Sequence, residues 1–229
     1  MKYPQFFLFI HNFITCGKIK YIFDENRIIL EISYKRDVKI SLKSSFTQSE
    51  RNAQIRVVCG PMFSGKTKTL IRVINEYKTL GKKVFVFKPK IDDRYAKDSI
   101  VSHDKDETSA FNVNRPVEIL DYHLNADVIA IDEVQFFDDS IIDVCNTLTN
   151  NNKTVICAGL DLDYRGLPFG PMPKVLAIAD EIIKLNSVCT FCSGPARISH
   201  RITQETEQVV LGEKEKYVPL CRSCYAELK

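Results

Sequence analysis

The octapeptide Gly60-Pro61-Met62-Phe63-Ser64-Gly65-Lys66-Thr67 follows a β-branched run and precedes a helix-like one, the setting of a glycine-rich phosphate loop. Such a loop needs a strand leading in, a helix leading out and a backbone that turns its N–H groups inward. Gly60 and Gly65 permit conformations that residues with side chains resist, so the amides gather around phosphate oxygens at the positive end of the helix. Lys66 then reaches the terminal phosphates, and the hydroxyl of Thr67 can ligate magnesium. The loop therefore predicts a nucleotide phosphate site on an α/β scaffold.

Strands and helices alternate from Ile55 onward. Ile55 to Cys59 reads as a buried strand and Lys66 to Leu80 as a helix with Leu70, Ile74 and Tyr77 on one face, ended by Gly81. Val84 to Phe87, Val128 to Ile131 and Thr154 to Ala158 read as further strands, with Ile182 to Leu185 as a candidate, and Asp138 to Asn150 reads as a helix. Residues 88–114 are charged and aperiodic, and so are read as a long functional loop. Short, continuously apolar strands between helices indicate a mainly parallel sheet covered on both faces, with ligands beyond the carboxyl ends of the strands.

Asp132-Glu133 comes directly after the strand 128–131. A carboxylate at that place suits magnesium, for which Asp132 is the candidate. Strand alternation turns Glu133 the other way, toward a separate acceptor, where a carboxylate can orient a hydroxyl and take its proton. In an ATPase the same residue would orient water.

Two cysteine pairs, Cys189-Thr190-Phe191-Cys192 and Cys221-Arg222-Ser223-Cys224, have the spacing of metal knuckles. Tetrahedral zinc takes four soft ligands from two such turns and is left with no open position, so the site reads as structural rather than catalytic. Two disulfides or four unrelated thiols are the other readings. Between the pairs, Arg201 to Thr203 and Gln208 to Leu211 can form a short hairpin, with Gly212 as a close-approach point. Tyr217 is read as packing more readily than as binding. Cys59, Cys145 and Cys157 lie on apolar runs and are read as buried small hydrophobes.

Lys and Arg total 32 against 29 Asp and Glu, which gives no strong field for nucleic acid or an anionic membrane and leaves small ligands as the better partners. Eight cysteines in 229 residues are not a dense disulfide framework, so a reducing, cytoplasmic setting is expected. Residues 1–50 read as an extension of uncertain structure. Phe6 to Ile10 is too short to span a bilayer, no small-residue cleavage site follows it, and Lys18 to Phe23 with Arg27 to Tyr34 suggests a hairpin.

Taken together, the phosphate loop, Asp132-Glu133-Val134-Gln135-Phe136-Phe137, Leu160-Asp161 through Pro168-Phe169-Gly170 and the paired cysteines resemble the zinc-containing, cellular-type thymidine kinases over residues 55–226. The resemblance implies a P-loop α/β domain over 51–187 and a small zinc-binding lasso domain over 188–229. It implies transfer of the ATP γ-phosphate to the 5′-hydroxyl of thymidine, with Mg2+ and structural Zn2+, in a nucleotide salvage route to DNA. It also implies a homotetramer inhibited by thymidine triphosphate. Glu133 matches the family's catalytic base, and Lys66 and Thr67 match its phosphate and magnesium residues. Asp92 and Arg94 match a pair near the acceptor hydroxyl and the transferred phosphate. Met62, Leu160, Tyr164 and Phe169 match the base pocket. Ser199, the backbone of Gln208, Val209, Val210, Leu211 and Gly212, and Tyr217 match the lasso over thymidine, which turns Tyr217 from packing to binding. Tyr164 stands where many members have Phe and Ser199 where many have Thr, changes that bear on discrimination among pyrimidine deoxynucleosides.

Two other functions fit parts of the pattern. One is a deoxynucleoside kinase that prefers deoxyuridine. The other is a nucleotide-switched nucleic-acid-binding ATPase that uses its zinc ribbon, against which residues 189–229 interleave Lys and Arg with Glu and leave almost no basic excess.

Overall fold

The computed structural model describes residues 18–24, 27–34, 38–44, 53–90, 99–101, 107–204 and 216–228. The chain divides into two compact units, Met1–Arg51 and Asn52–Lys229. In the first, strands β1 (Lys18–Asp24), β2 (Arg27–Tyr34) and β3 (Val38–Ser44) form an antiparallel meander in the order β1-β2-β3. The expected hairpin is its first half, with Tyr21 opposite Leu30, and β3 continues the register with Leu30 opposite Leu42.

The second unit is built on a six-stranded parallel sheet. Its strands are β4 (Ile55–Cys59), β5 (Val84–Pro89), β8 (Phe111–Val113), β9 (Val128–Ile131), β10 (Thr154–Gly159) and β11 (Glu181–Lys184), in the order β11-β4-β10-β9-β5-β8. Strand alternation divides the core into two layers. Val58, Val86, Ala130, Ile156 and Ala158 join Leu70, Ile71, Val73 and Ile74 of helix α1 (Lys66–Thr79) on one face. Val57, Phe87, Ile129, Ile131 and Cys157 join Ile141, Val144, Cys145 and Leu148 of helix α2 (Ser140–Asn150) on the other. Both faces being covered explains why the strands carry no polar alternation.

Three expectations are modified. The aperiodic segment 88–114 carries structure: β6 (Ser99–Val101) pairs antiparallel with β7 (Glu107–Ser109), and β8 extends the main sheet beside β5. Helix α2 starts after Asp138, whose Oδ1 accepts the Ser140 amide at 2.9 Å as an external cap. Residues 116–125, for which no element is expected, form a 3-10 helix entered through Pro116. The three core cysteines are buried as expected; Cys145 and Cys157 have their Sγ atoms 3.8 Å apart, and burial pushes the Cys59 thiol up to about 11.

After the short helix α3 (Met172–Ala177) and β11, the chain forms two small ribbons. Strand β12 (Ser187–Val188) pairs with β13 (Pro195–Ala196), and β14 (Ile198–Arg201) pairs with β15 (Tyr217–Leu220) ahead of helix α4 (Arg222–Ala226). They enclose a small core of Cys189, Ala196 and Leu220, against which Val218 and Tyr225 pack. Arg201 pairs with Tyr217, and residues 208–211, expected as a hairpin partner of Arg201 to Thr203, lie outside the described residues.

Candidate active site

Three loops meet at the carboxyl ends of adjacent strands: 60–65 after β4, 132–133 after β9 and 160–170 after β10, which lies between them. The first has the backbone expected of a phosphate loop. Gly60 (φ 149°) and Gly65 (φ 83°) take positive φ, and Gly65 leads into α1. At Gly60 a Cβ would lie 2.6 Å from the Leu185 carbonyl, so the glycine is also required for close approach to the chain leaving β11. Lys66 is buried and donates to the Pro61 carbonyl at 2.9 Å. Burial lowers its pKa, opposed by the charges of Glu133, Asp132 and Asp161, so these acids and the lysine share one field.

Asp132 and Glu133 differ in geometry. Asp132 is 4% exposed and accepts the Glu133 amide at 2.9 Å; burial, with the Glu133 charge beside it, pushes its carboxyl up to about 7. Glu133 does not continue the strand. It has φ 53° and ψ 40°, in the left-handed region, and opens a 3-10 turn over Val134–Phe136. Its direction is therefore set by this strained backbone rather than by strand alternation, as expected from sequence, and such strain in a non-glycine residue persists only where the surroundings enforce it. Its carboxylate Oε2 accepts a hydrogen bond from the Gln135 side-chain amide.

The 160–170 loop is organised by Asp163, whose buried carboxylate accepts the Arg165 amide at 2.9 Å, the Leu167 amide at 3.0 Å and the Arg165 guanidinium at 2.8 Å. Buried Asp161 pairs with Lys184 at 2.8 Å and accepts the Phe169 amide on its carbonyl at 3.2 Å. Phe169 packs edge-on against Phe136 at 5.6 Å. Leu160 donates its amide to Gln135 Oε1 at 2.9 Å. Thus Leu160, Phe169 and the acid-pair turn are tied together.

Ribbon β14–β15 joins this assembly at two points. The Met62 amide of the phosphate loop donates to Ser199 Oγ at 2.8 Å. The guanidinium of Arg201, buried, lies 3.8 Å over the Tyr164 ring centroid and donates to the Tyr217 hydroxyl at 2.9 Å and 3.1 Å. Met62, Tyr164, Ser199 and Tyr217 are thereby connected, while Asp92, Arg94 and 208–212 lie outside the described residues. Arg201 and Gln135 are the two residues whose importance the sequence did not bring out. The available signal was polarity within apolar surroundings: Gln135 between Val134 and Phe136, and Arg201 at the end of a strand.

The cysteine pairs converge so that their four sulfurs lie within 4.8 Å of one another. Tetrahedral zinc with Zn–S of about 2.3 Å separates sulfurs by about 3.8 Å, and Cys192 and Cys221 stand 3.6 Å apart. The Cys224 amide donates to Cys221 Sγ at 3.4 Å. Four thiols so placed fit zinc. The buried Asp132 carboxylate, at the strand end beside the phosphate loop, is an oxygen donor of the kind a hard divalent cation takes.

Parallel strands, a loop with two glycines at positive φ between β4 and α1, and an acid pair within its field define the class of P-loop nucleotide-binding proteins, and the ribbon adds four sulfurs that could hold a metal ion. The family model for thymidine kinase matches residues 53–225. A thymidine kinase of Bacteroides fragilis is 48% identical over 178 residues, 78% of this chain and 89% of that protein. One of Rhodothermus sp. is 45% identical, covering 75% of this chain and 80% of its own, and one of Porphyromonas gingivalis is 43% identical, covering 80% and 90%. The chain belongs to the thymidine kinase family.

Proposed function

We propose that this protein transfers the γ-phosphoryl group of ATP to the 5′-hydroxyl of thymidine, giving thymidine monophosphate for DNA synthesis. The observation that carries this reading is the shared field of Lys66 and the Asp132–Glu133 pair at adjacent strand ends. It brings a triphosphate cradle and a proton acceptor to one place. Lys66, on leaving the Pro61 carbonyl, pairs with the terminal phosphates, and the amides of residues 63–67 surround them. Glu133 orients the nucleoside hydroxyl and takes its proton as the bond to phosphorus forms. Thr67 and Asp132 hold magnesium, which when bound neutralises charge on the transferring group. Asp92 and Arg94 complete the acceptor side, where a guanidinium steadies phosphoryl oxygens.

Thymine lies among Met62, Leu160, Tyr164, Phe169, Ser199 and Tyr217, under a lasso formed by the backbone of residues 208–212. Cys189, Cys192, Cys221 and Cys224 would hold zinc, which would anchor both ends of the excursion. Assembly as a homotetramer, inhibition by thymidine triphosphate and a cytoplasmic location complete the proposal. No helix among the described residues is long and apolar enough to cross a membrane. Relatives named thymidine kinase support this reading over a nucleic-acid-binding ATPase.

The test is ADP release by the purified full chain with thymidine, with deoxyuridine and without acceptor. Thymidine-dependent release is expected, faster than with deoxyuridine. Equal rates with both acceptors would replace the thymidine-specific reading by a broader one, and acceptor-independent release would reject kinase activity.

A further inference from the structure

We propose that Gln135 is a positioning residue whose single side-chain amide sets both the orientation of Glu133 and the backbone of the nucleoside pocket at Leu160. The inference rests on the reading of Glu133 as the base given above. Gln135 is 2% exposed, and its amide is used at both ends. The Nε2 group donates to Glu133 Oε2, and Oε1 accepts the Leu160 amide at 2.9 Å. Only one rotation of a primary amide satisfies both contacts, since a carboxylate cannot donate and a backbone N–H cannot accept. The position is also closed sterically. A Cβ on Gly159 would come within 2.6 Å of Gln135 Oε1 and 2.9 Å of the Met172 sulfur, so β10 must end in glycine for the amide to fit.

This arrangement solves a specific problem. The Glu133 backbone is held in the left-handed region by its turn, but its side chain still has rotatable bonds. A base that wanders by about an ångström loses catalysis steeply. The Gln135 amide fixes the carboxylate from outside the reacting pair, leaving Oε1 of Glu133 for an acceptor hydroxyl. Because the same amide holds the Leu160 N–H, the base and the pocket wall share a single support.

The two bonds can be separated by substitution. Gln135→Glu keeps an acceptor for Leu160 and loses the donor to Glu133, whereas Gln135→Met loses both. In thymidine-dependent ADP release, Gln135→Glu is expected to lower kcat tenfold or more with KM for thymidine within about twofold. Gln135→Met is expected to lower kcat and also raise that KM. Wild-type kcat in Gln135→Glu, or equal KM changes in both variants, overturns the proposal. A second measurement does not depend on activity. In the 15N-labelled full chain the Gln135 side-chain amide, identified by its loss in Gln135→Glu, is expected to exchange slowly with solvent, and Glu133→Gln is expected to speed that exchange at least tenfold. Exchange unaffected by Glu133→Gln overturns the proposal even if the wild-type chain releases no ADP with thymidine, an outcome that would instead reject the kinase reading.

Discussion

Ser199 Oγ accepts the backbone N–H of Met62 at 2.8 Å, so a strand of the cysteine-anchored ribbon holds the phosphate loop. Ser199 is buried and Met62 half-buried, so loss of the hydroxyl leaves a partly desolvated amide donor, a cost of about 1 kcal/mol. Ser199→Ala is therefore expected to raise KM for both ATP and thymidine, each about tenfold. Ser199→Thr, which retains the oxygen, is expected to stay near wild type for ATP. If Ser199→Ala affects thymidine alone, the contact does not couple the two sites.

Glu133→Gln tests the base directly. The amide is nearly isosteric but cannot take a proton, so kcat is expected to fall at least a hundredfold, roughly a general-base contribution. ATP affinity, measured by calorimetry without thymidine, should change by less than threefold. Near-normal turnover would remove Glu133 from the role.

The phosphate loop and the cysteine pairs were legible in the sequence because each is a local rule: residues fixed in spacing by the geometry of one ligand. The main strands were legible because burial on both faces leaves an uninterrupted apolar run, as in Val128–Ile131, every residue of which is buried. What escaped depends on partners distant in sequence. Phe111-Asn112-Val113 is a strand because β5 lies beside it, with Phe87 opposite Phe111, and nothing local in three residues announces that. The direction of Glu133 follows from a left-handed φ that alternation along β9 does not foretell. Arg201 pairs with Tyr217, sixteen residues on, and also binds its hydroxyl, a partnership that no local pattern announces.

Arg201 offers a separable prediction. Its guanidinium stacks on Tyr164 while bonding Tyr217, which requires a planar, multiply donating cation. Arg201→Lys keeps the charge and loses the plane, so it is expected to raise KM for thymidine about tenfold and leave KM for ATP within twofold. A lysine variant with wild-type thymidine KM would show that charge alone suffices.

His200, between Ser199 and Arg201 on β14, packs edge-on against Tyr225 of α4 at 5.6 Å. Burial lowers its pKa from 6.5, so the unfolded chain binds a proton at higher pH than the folded one. Stability from this position is thus full above about pH 6.5 and declines as pH falls through the interval between that value and the lowered folded pKa. Tm measured from pH 8 to pH 5 should fall less in His200→Phe than in wild type. Identical slopes would show that other groups govern acid sensitivity.

Metal removal should act through the same ribbon. The Thr190 amide donates to the Pro219 carbonyl at 3.0 Å, and β15 leads directly into Cys221, so the two knuckles and the strand carrying Tyr217 form one structure. Cys192→Ser is expected to reduce bound zinc, measured by atomic emission, from about one per chain to below a tenth, since a closed four-thiolate site loses a ligand. The Tyr217–Arg201–Tyr164 contacts then lose their anchor, and thymidine affinity should fall at least tenfold. ATP affinity should fall less, because β14 reaches the phosphate loop at Met62 alone among the contacts described above, while the loop retains its own strand and helix. An unchanged thymidine constant in metal-free protein would uncouple the sulfur cluster from the nucleoside pocket.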